Sequence, residues 1–426
     1  MVSDRGRSEV RAVTKLPTAV GQVITVLAHG EALLPQRRNG AAIDRIGQLA
    51  ELLATMLGDG STIEELAFRK SLEARAPASI KALANDLDCY AAFCARARGQ
   101  ALPASESKIV AYLEDCEARG RSPATVNRRL ASLSVAHGLL GVPSPTAVPV
   151  VRDAVRGFRR RVSVRQRQAG PLRFGEGIGI EAAKGFTLTA LLQACDGTAS
   201  GLRDAALLSL GYDAGLRVSE LVGVHCEHIE IQEDGSGLLE VPHSKTDQEG
   251  QGAFAWLSRE TLRRVSAWRA EASITAGPLF RRIAVVRTKA RPARRAIHIR
   301  ELAWNAPVDR QRMAAQPARA ATTTYVIGDD ALTPAAVRLI IKRTAKRAAE
   351  EGLVALFGKE LEAAIAALST HSLRVGLTQD LFASGEDAGP IAQALRWSST
   401  ATALRYGRKL APSSNATARM LGRVRG

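Results

Sequence analysis

Apolar residues recur at three- and four-residue steps through most of this chain, and that period predicts helices. Between residues 41 and 57 the set Ile43, Ile46, Leu49, Leu52, Leu53 and Met56 lies on one face of a helix, which predicts packing onto the domain that follows. From 63 to 161 the pattern is helical throughout, with segments at 78–98 and 105–119 and a third opened by Ser122-Pro123. There the serine caps and the proline takes the first helical position, where its missing N–H costs nothing. This third helix carries Asn127, Arg128 and Arg129 ahead of its apolar face, Leu130, Leu133 and Val135. A fourth, 147–161, ends in Arg156, Arg159, Arg160 and Arg161.

The period breaks between 162 and 179. Arg165 and Arg167 mix there with Gly170, Pro171, Gly175 and Gly177, which predicts an exposed basic linker. Helices follow at 188–194 and 203–213, with Gly215 as a left-handed stop. The pattern then turns to short alternating runs, predicting strands at 227–231, 237–241 and 253–257, the first two joined across Asp234-Gly235. Residues 281–324 are rich in Arg and Ala and show no clear period, so they read as a basic insertion. Helix resumes at Thr333-Pro334 and runs to 351, then at 371–384, 387–395 and 400–410. The tail, 411–426, either forms a short helix after Ser413 or Ser414 or frays. The fold class is mainly α with a small antiparallel sheet, an α+β chain. Its expected parts are an extension at 1–62, a helical domain at 63–161, a linker at 162–179, a second domain at 180–410 and the tail.

With 426 residues and 46% apolar side chains the chain can bury a real core, so disorder throughout is excluded. Its 59 Lys and Arg against 42 Asp and Glu give a formal charge of +17. That excess favours a polyanion partner, since each phosphate neutralised releases condensed counterions. Cys89, Cys94, Cys116, Cys195 and Cys226 are odd in number and lack a Cys-x-x-Cys pair, so neither a disulfide framework nor a zinc site is indicated and a reducing compartment fits. His225, Cys226 and His228 are too close in sequence to complete a metal site without a second cluster. The charged N-terminus lacks a signal-peptide core and no run approaches the length of a membrane span, which predicts a cytoplasmic protein.

Candidate chemistry gathers in four places: Gly215-Leu216-Arg217-Val218-Ser219-Glu220-Leu221, Pro242-His243-Ser244-Lys245-Thr246, His371-Ser372-Leu373-Arg374, and Trp397 through Tyr406. Breaking a phosphodiester without a metal requires a nucleophile, neutralisation of charge on the non-bridging oxygens, and a proton for the departing oxygen. Arg217 and Arg374 offer planar forks for phosphate oxygens, a geometry lysine cannot reproduce. His371 shares a helix face with Arg374. Trp397 offers an indole N–H and Tyr406 a phenol. Singly, each has a dull alternative as a surface or core residue; together they form one candidate site.

The set resembles the tyrosine recombinase, or phage integrase, family, with spacings similar to those of its Cre-like branch. That family's pattern runs Arg in a G-L-R-x-x-E-L box, Lys on a β-hairpin, H-x-x-R, then His or Trp, then Tyr, and this sequence fills each position in order. The resemblance is strongest from 180 to 410. It implies that 63–161 is a helical core-binding domain and 180–410 a catalytic domain, the two closing around DNA as a clamp. It further implies that Tyr406 is the nucleophile forming a 3′-phosphotyrosyl bond, that Arg217 and Arg374 hold the scissile phosphate, and that Lys245 is the general acid. His371 and Trp397 would hydrogen-bond the phosphate or assist proton transfer, and Glu220 would brace the site. Rejoining would need neither ATP, metal nor another cofactor. The implied partners are double-stranded DNA, four protomers on two DNA sites working through a Holliday junction, and an accessory directionality protein, in a bacterial, nucleoid-associated setting. DNA contacts are expected from Asn127, Arg128, Arg129, Arg159, Arg160, Arg161, Arg338 and Lys342. The sequence departs from the pattern twice. Arg396 puts bulk and charge where many members have Gly, and Gly407 directly follows the tyrosine, which is expected to loosen that segment. Two other readings stand beside recombination: a type IB topoisomerase-like strand transferase, and a non-catalytic DNA-binding structural protein.

Overall fold

The structure, a computed structural model, describes residues 12–15, 23–29, 34, 44–57, 65–97, 101–162, 168–175, 185–242, 252–301, 313–407 and 416–425. The chain divides into two compact units, Gln36–Arg167 and Met1–Pro35 with Gln168–Gly426.

The first unit is helical, with helices Arg45–Leu57, Glu65–Glu73, Pro77–Ala97, Glu106–Ala118, Pro123–Leu139 and Pro149–Arg161. The local reasons are those the sequence offers: Ser105 and Ser122 accept from the backbone N–H three residues on, at 3.3 and 3.2 Å, and Pro123 opens its helix. Leu49, Leu53, Leu87, Tyr90, Ile109 and Phe158 close one core. The helix at Glu65–Glu73 falls in the stretch expected to be helical, although no separate segment is marked there, because it is short and mixes charge with few apolar positions.

Burial of Arg129 is at odds with the DNA contact expected of it. Arg129 does not face solvent: it is 8% exposed, lies over the Tyr112 ring at 6.0 Å, and donates to Cys116 Sγ and Cys89 Sγ at 3.4 and 3.2 Å. The buried Asp86 explains why a cation is tolerated there, since its carboxylate lies 3.9 Å from Arg129 Nε and accepts from Ser132 at 2.9 Å. Arg128 reaches the same carboxylate at 2.9 Å from a half-exposed position. Arg159 donates to Asn127, Arg161 pairs with Glu117, and both remain exposed with Arg160.

The second unit holds two sheets. Strands β3 (Ile229–Ile231), β4 (Gly237–Val241) and β5 (Ala253–Leu257) form the expected antiparallel sheet. A further sheet was not foreseen: β1 (Ala12–Lys15), β2 (Val23–Leu27), β6 (Arg281–Thr288) and β7 (Thr322–Ala331) run in the order β1-β2-β7-β6, with β2 parallel to β7. The stretch expected as an extension therefore divides, its strands joining this sheet and its helix joining the other unit. The strand signal lay in β-branched runs, Val23-Ile24-Thr25-Val26 and Thr322-Thr323-Thr324-Tyr325-Val326-Ile327, hidden by basic and Ala-rich flanks.

Helix Ala199–Asp213 is buried on nearly every face and packs against Arg259–Ala272 and Ser372–Ala383. Trp268, fully buried, donates to the Leu279 carbonyl at 2.8 Å and fixes helix Arg259–Ala272, a helix beyond those expected from the sequence. Asp380 ties three segments together: it accepts from Arg173 Nε at 2.6 Å, from the Phe174 N–H at 2.7 Å and from Tyr212 Oη. Residues 168–175, read as linker, are thus secured to this unit.

Candidate active site

The site is assembled from three helix termini. Arg217 is the N-cap of helix Val218–Val222, and its side chain and backbone are both held by Glu220: Nη1 to Oε1 at 2.7 Å, and the Arg217 N–H to Oε2 at 2.8 Å. Glu220 is 7% exposed. Burial alone would raise its pKa, but the Arg217 N–H and guanidinium hold the carboxyl below its ordinary value, so it stays an anion.

Arg374, on helix Ser372–Ala383, is 1% exposed and stretches between two turns, donating from Nη1 to Gly215 O at 2.5 Å and from Nη2 to Leu395 O. Those two bonds use two of its five N–H groups, which leaves donors for an anion. Burial, then the neighbouring Arg217 guanidinium, pushes Arg374 down to about 9, still cationic at neutral pH. Gly215 fits its place for two reasons: its φ of 54° is left-handed, and a Cβ there would strike Leu395 and Leu377.

Behind Arg374 the aromatic groups stack in order. Its guanidinium lies 5.0 Å from the Trp397 ring, and Trp397 stacks nearly parallel to Tyr406, at 7° and 5.2 Å between centroids. His371, the N-cap of the same helix as Arg374, places Nε2 2.7 Å from Tyr406 Oη. Burial, reinforced by Arg374 and Arg217, lowers the His371 pKa, so the ring is neutral and able to take the phenolic proton. The structure thus brings His371, Arg374, Trp397 and Tyr406 together, with Arg217 and Glu220 linked to them through the Gly215 turn. Lys245 lies outside the described residues; β4 and β5, which bracket it in sequence, pair antiparallel. On helix Pro334–Glu350, Arg338 is exposed and Lys342 half-buried.

Both departures from the family pattern acquire physical explanations. Arg396 adopts φ of 54°, the conformation that a Gly would take without strain. Its side chain is 7% exposed, with Nη2 3.5 Å from Glu220 Oε2 and 3.1 Å from Ala214 O, while Nε and Nη1 are buried without a hydrogen-bond partner. It therefore adds a second guanidinium beside the Glu220 carboxylate. Gly407 does not loosen the tyrosine segment: it is buried, and a Cβ would come within 2.6 Å of the Phe382 ring. Glycine there lets helix Thr400–Gly407 sit tight on helix Ser372–Ala383 and holds Tyr406 near His371.

Arg396→Gly relieves the strained backbone while removing one charge-assisted contact to Glu220, worth about 1.5 kcal/mol, which corresponds to roughly tenfold in rate. The expected result is a folded protein whose attack on a phosphodiester at saturating DNA is slower by that factor. An unchanged rate would reduce Arg396 to a space-filler.

The geometry supplies a nucleophile, a base beside it, and clustered cations with one carboxylate, a set suited to transesterification at a phosphodiester. Among the described residues no group of His, Cys, Asp or Glu could hold a metal ion, and no helix is long and apolar enough to cross a membrane.

Comparison with known proteins agrees with this reading. Over 230 residues the chain is 30% identical to an integrase/recombinase XerD homolog of Selenomonas ruminantium, covering 52% of this chain and 64% of that protein, less than two thirds of its length. Over 335 residues it is 23% identical to the recombinase Cre of Escherichia phage P1, covering 78% and 84%. A XerH site-specific recombinase bound to palindromic difH substrate aligns with a TM-score of 0.49 at 13% identity, covering 87% of this chain and 94% of that one. The curated relatives carry both Xer and Cre names, so they do not single out the Cre-like branch. Residues 184–411, more than half of the chain, match the model of the phage integrase family, and the chain belongs to that family of tyrosine recombinases.

Proposed function

We propose that this chain is a site-specific DNA recombinase that cuts and rejoins duplex DNA through a 3′-phosphotyrosyl intermediate. The observation that carries the reading is the hydrogen bond from Tyr406 to neutral His371, with the Tyr406 ring fixed by Trp397 and Arg374 stacked behind it. Attack by Tyr406 Oη on phosphorus forms the phosphotyrosyl bond and breaks the bond to the 5′ oxygen. The phenolic proton passes to His371, Arg217 and Arg374 neutralise the non-bridging oxygens, and Lys245 protonates the leaving 5′ oxygen. The phosphodiester free energy is conserved in the adduct, so religation needs no metal or ATP. Four protomers on two DNA sites, exchanging strands in pairs through a Holliday junction, with an accessory protein setting direction, complete the proposal.

The experiment is a suicide-substrate trap. Purified protein is incubated, without metal or ATP, with nicked duplexes from the flanks of its coding region and a wider DNA library, and a denaturant-stable adduct is mapped by mass spectrometry. An adduct on Tyr406 is expected; binding without any adduct across the library would leave only the non-catalytic DNA-binding reading.

The acid role has its own check. Lys245→Ala should slow cleavage of ordinary DNA by about 10²-fold or more, the usual worth of a positioned acid, yet leave nearly untouched a substrate whose 5′-bridging oxygen is sulfur, which departs without a proton. Equal slowing of both substrates removes Lys245 from that role.

A further inference from the structure

Strands β6 and β7 do not end where their sheet ends. Beyond the last regular pair, Thr288 with Thr322, the two chains stay joined by reciprocal backbone hydrogen bonds of 2.8 Å between Arg291 and Arg319 and between Arg294 and Gln316, and by Ile297 N–H to Met313 O. Nine residues at about 3.3 Å each carry this two-stranded arm roughly 30 Å past the sheet.

The arm contributes nothing to the core. No residue of 289–301 or 313–320 is buried, and Val285, Val286 and Ile299 are about half exposed. Its charge is one-sided: Arg287, Lys289, Arg291, Arg295, Arg300 and Arg319 are all exposed, and the one acid among the described residues of the arm, Glu301, is matched to Arg295 at 2.9 Å. Ordered backbone with no buried residue is not explained by the stability of this unit. An outward contact explains it, and the charge selects the partner. The arm of a second copy carries the same positive charge, so arm-to-arm pairing is repulsive. Pro292 and Pro317 remove backbone donors along the arm and discourage strand addition. A polyanion satisfies both the sign and the length, and a two-stranded ribbon has the width that the major groove of duplex DNA admits.

We infer that the arm formed by residues 287–301 and 313–321 is a second DNA-binding element, which lies along duplex phosphates away from the cleaved bond. This rests on the proposed action on duplex DNA, and it adds a contact that the active site does not require. Phosphate contacts would give the arm affinity without sequence choice.

The test uses the full chain with Arg291→Gln, Arg294→Gln, Arg295→Gln, Arg300→Gln and Arg319→Gln combined. All five side chains are exposed, so the fold is retained, as thermal unfolding would verify. DNA affinity is measured against salt concentration on a long duplex. Each lost phosphate contact removes about 0.9 from the slope of log affinity on log salt. The variant should therefore show a slope shallower by about four and at least tenfold weaker binding at physiological salt. On a duplex too short to reach the arm, wild type and variant should bind alike. An unchanged slope on the long duplex overturns the inference. So does a variant with wild-type affinity whose DNA complex contains fewer protein copies by sedimentation, because the arm would then be a protein contact. Failure of the wild type to form any adduct would instead overturn the recombinase reading, while the salt slope would still judge the arm.

Discussion

Tyr406→Phe abolishes the covalent protein–DNA adduct while leaving DNA affinity within about twofold, because one phenol oxygen is a small part of a phosphate interface dominated by cations. The fold should also survive. The Phe ring keeps its stacking on Trp397, and the variant loses only the hydrogen bond to His371, worth about 1 kcal/mol. The chain has five tyrosines, and their environments separate one from the rest. Tyr90 and Tyr112 are buried in the helical core, and burial pushes both phenols up. Tyr212 is 6% exposed, pushed up by burial and Asp380, and bonded to that carboxylate; Tyr325 is likewise 6% exposed, in an inner strand of its sheet. Tyr406 alone combines partial exposure with a neutral imidazole at its oxygen. An adduct that persists in the Phe variant, on long and short substrates alike, would remove Tyr406 as nucleophile. The result is read by denaturing electrophoresis beside an equilibrium binding curve.

What could be read from the sequence and what could not divide along physical lines. Helix starts with a Ser or Thr before Pro, at Ser122-Pro123 and Thr333-Pro334, lie where expected because capping is a local interaction of a few residues. The three short strands at 229–257 were legible because their turn, Asp234-Gly235, demands a left-handed Gly, φ 79°, and alternation flanks it. The sheet β1-β2-β7-β6 was not legible, because its pairing joins residues about three hundred positions apart and no local pattern encodes a partner. The residues of the site were legible as a list, since chemistry restricts their types. Their arrangement was not: nothing in the order His371, Arg374, Trp397, Tyr406 says that the indole lies against both the guanidinium and the phenol. Arg129 shows the same limit in reverse. A cation in a run of basic residues reads as a DNA contact, and only the buried Asp86, supplied by another helix, turns it inward. Arg396 and Gly407 were visible as departures, yet their meaning depended on a backbone angle and on a ring from a neighbouring helix.

Arg374→Lys separates two duties that one side chain performs. In the free protein Arg374 is a strut, tying the Gly215 turn to the Leu395 turn through two carbonyls and lying against Trp397. Toward DNA it is a cation with remaining N–H donors, in a cluster where Arg217, Arg374 and Arg396 face the single carboxylate of Glu220. Lysine keeps the charge but not the fork, so it cannot reach both carbonyls and leaves one buried acceptor unpaired, at a cost of about 1–3 kcal/mol in stability. Cleavage at saturating DNA should fall further, by on the order of 10²–10³, the usual consequence of removing one preorganised donor from developing charge. Arg217→Lys should act on the same phosphate, so the double variant should lose less than the product of the single losses. The two duties are told apart by Arg374→Ala with guanidinium added in solution. A small guanidinium can refill the phosphate contact and restore part of the rate, but it cannot rejoin the two turns, so thermal stability should stay low while cleavage recovers. Recovery of neither, together with a Lys variant that cleaves at the wild-type rate, would mean that Arg374 only braces the fold and that the charge on the phosphate is met by Arg217 and its neighbours.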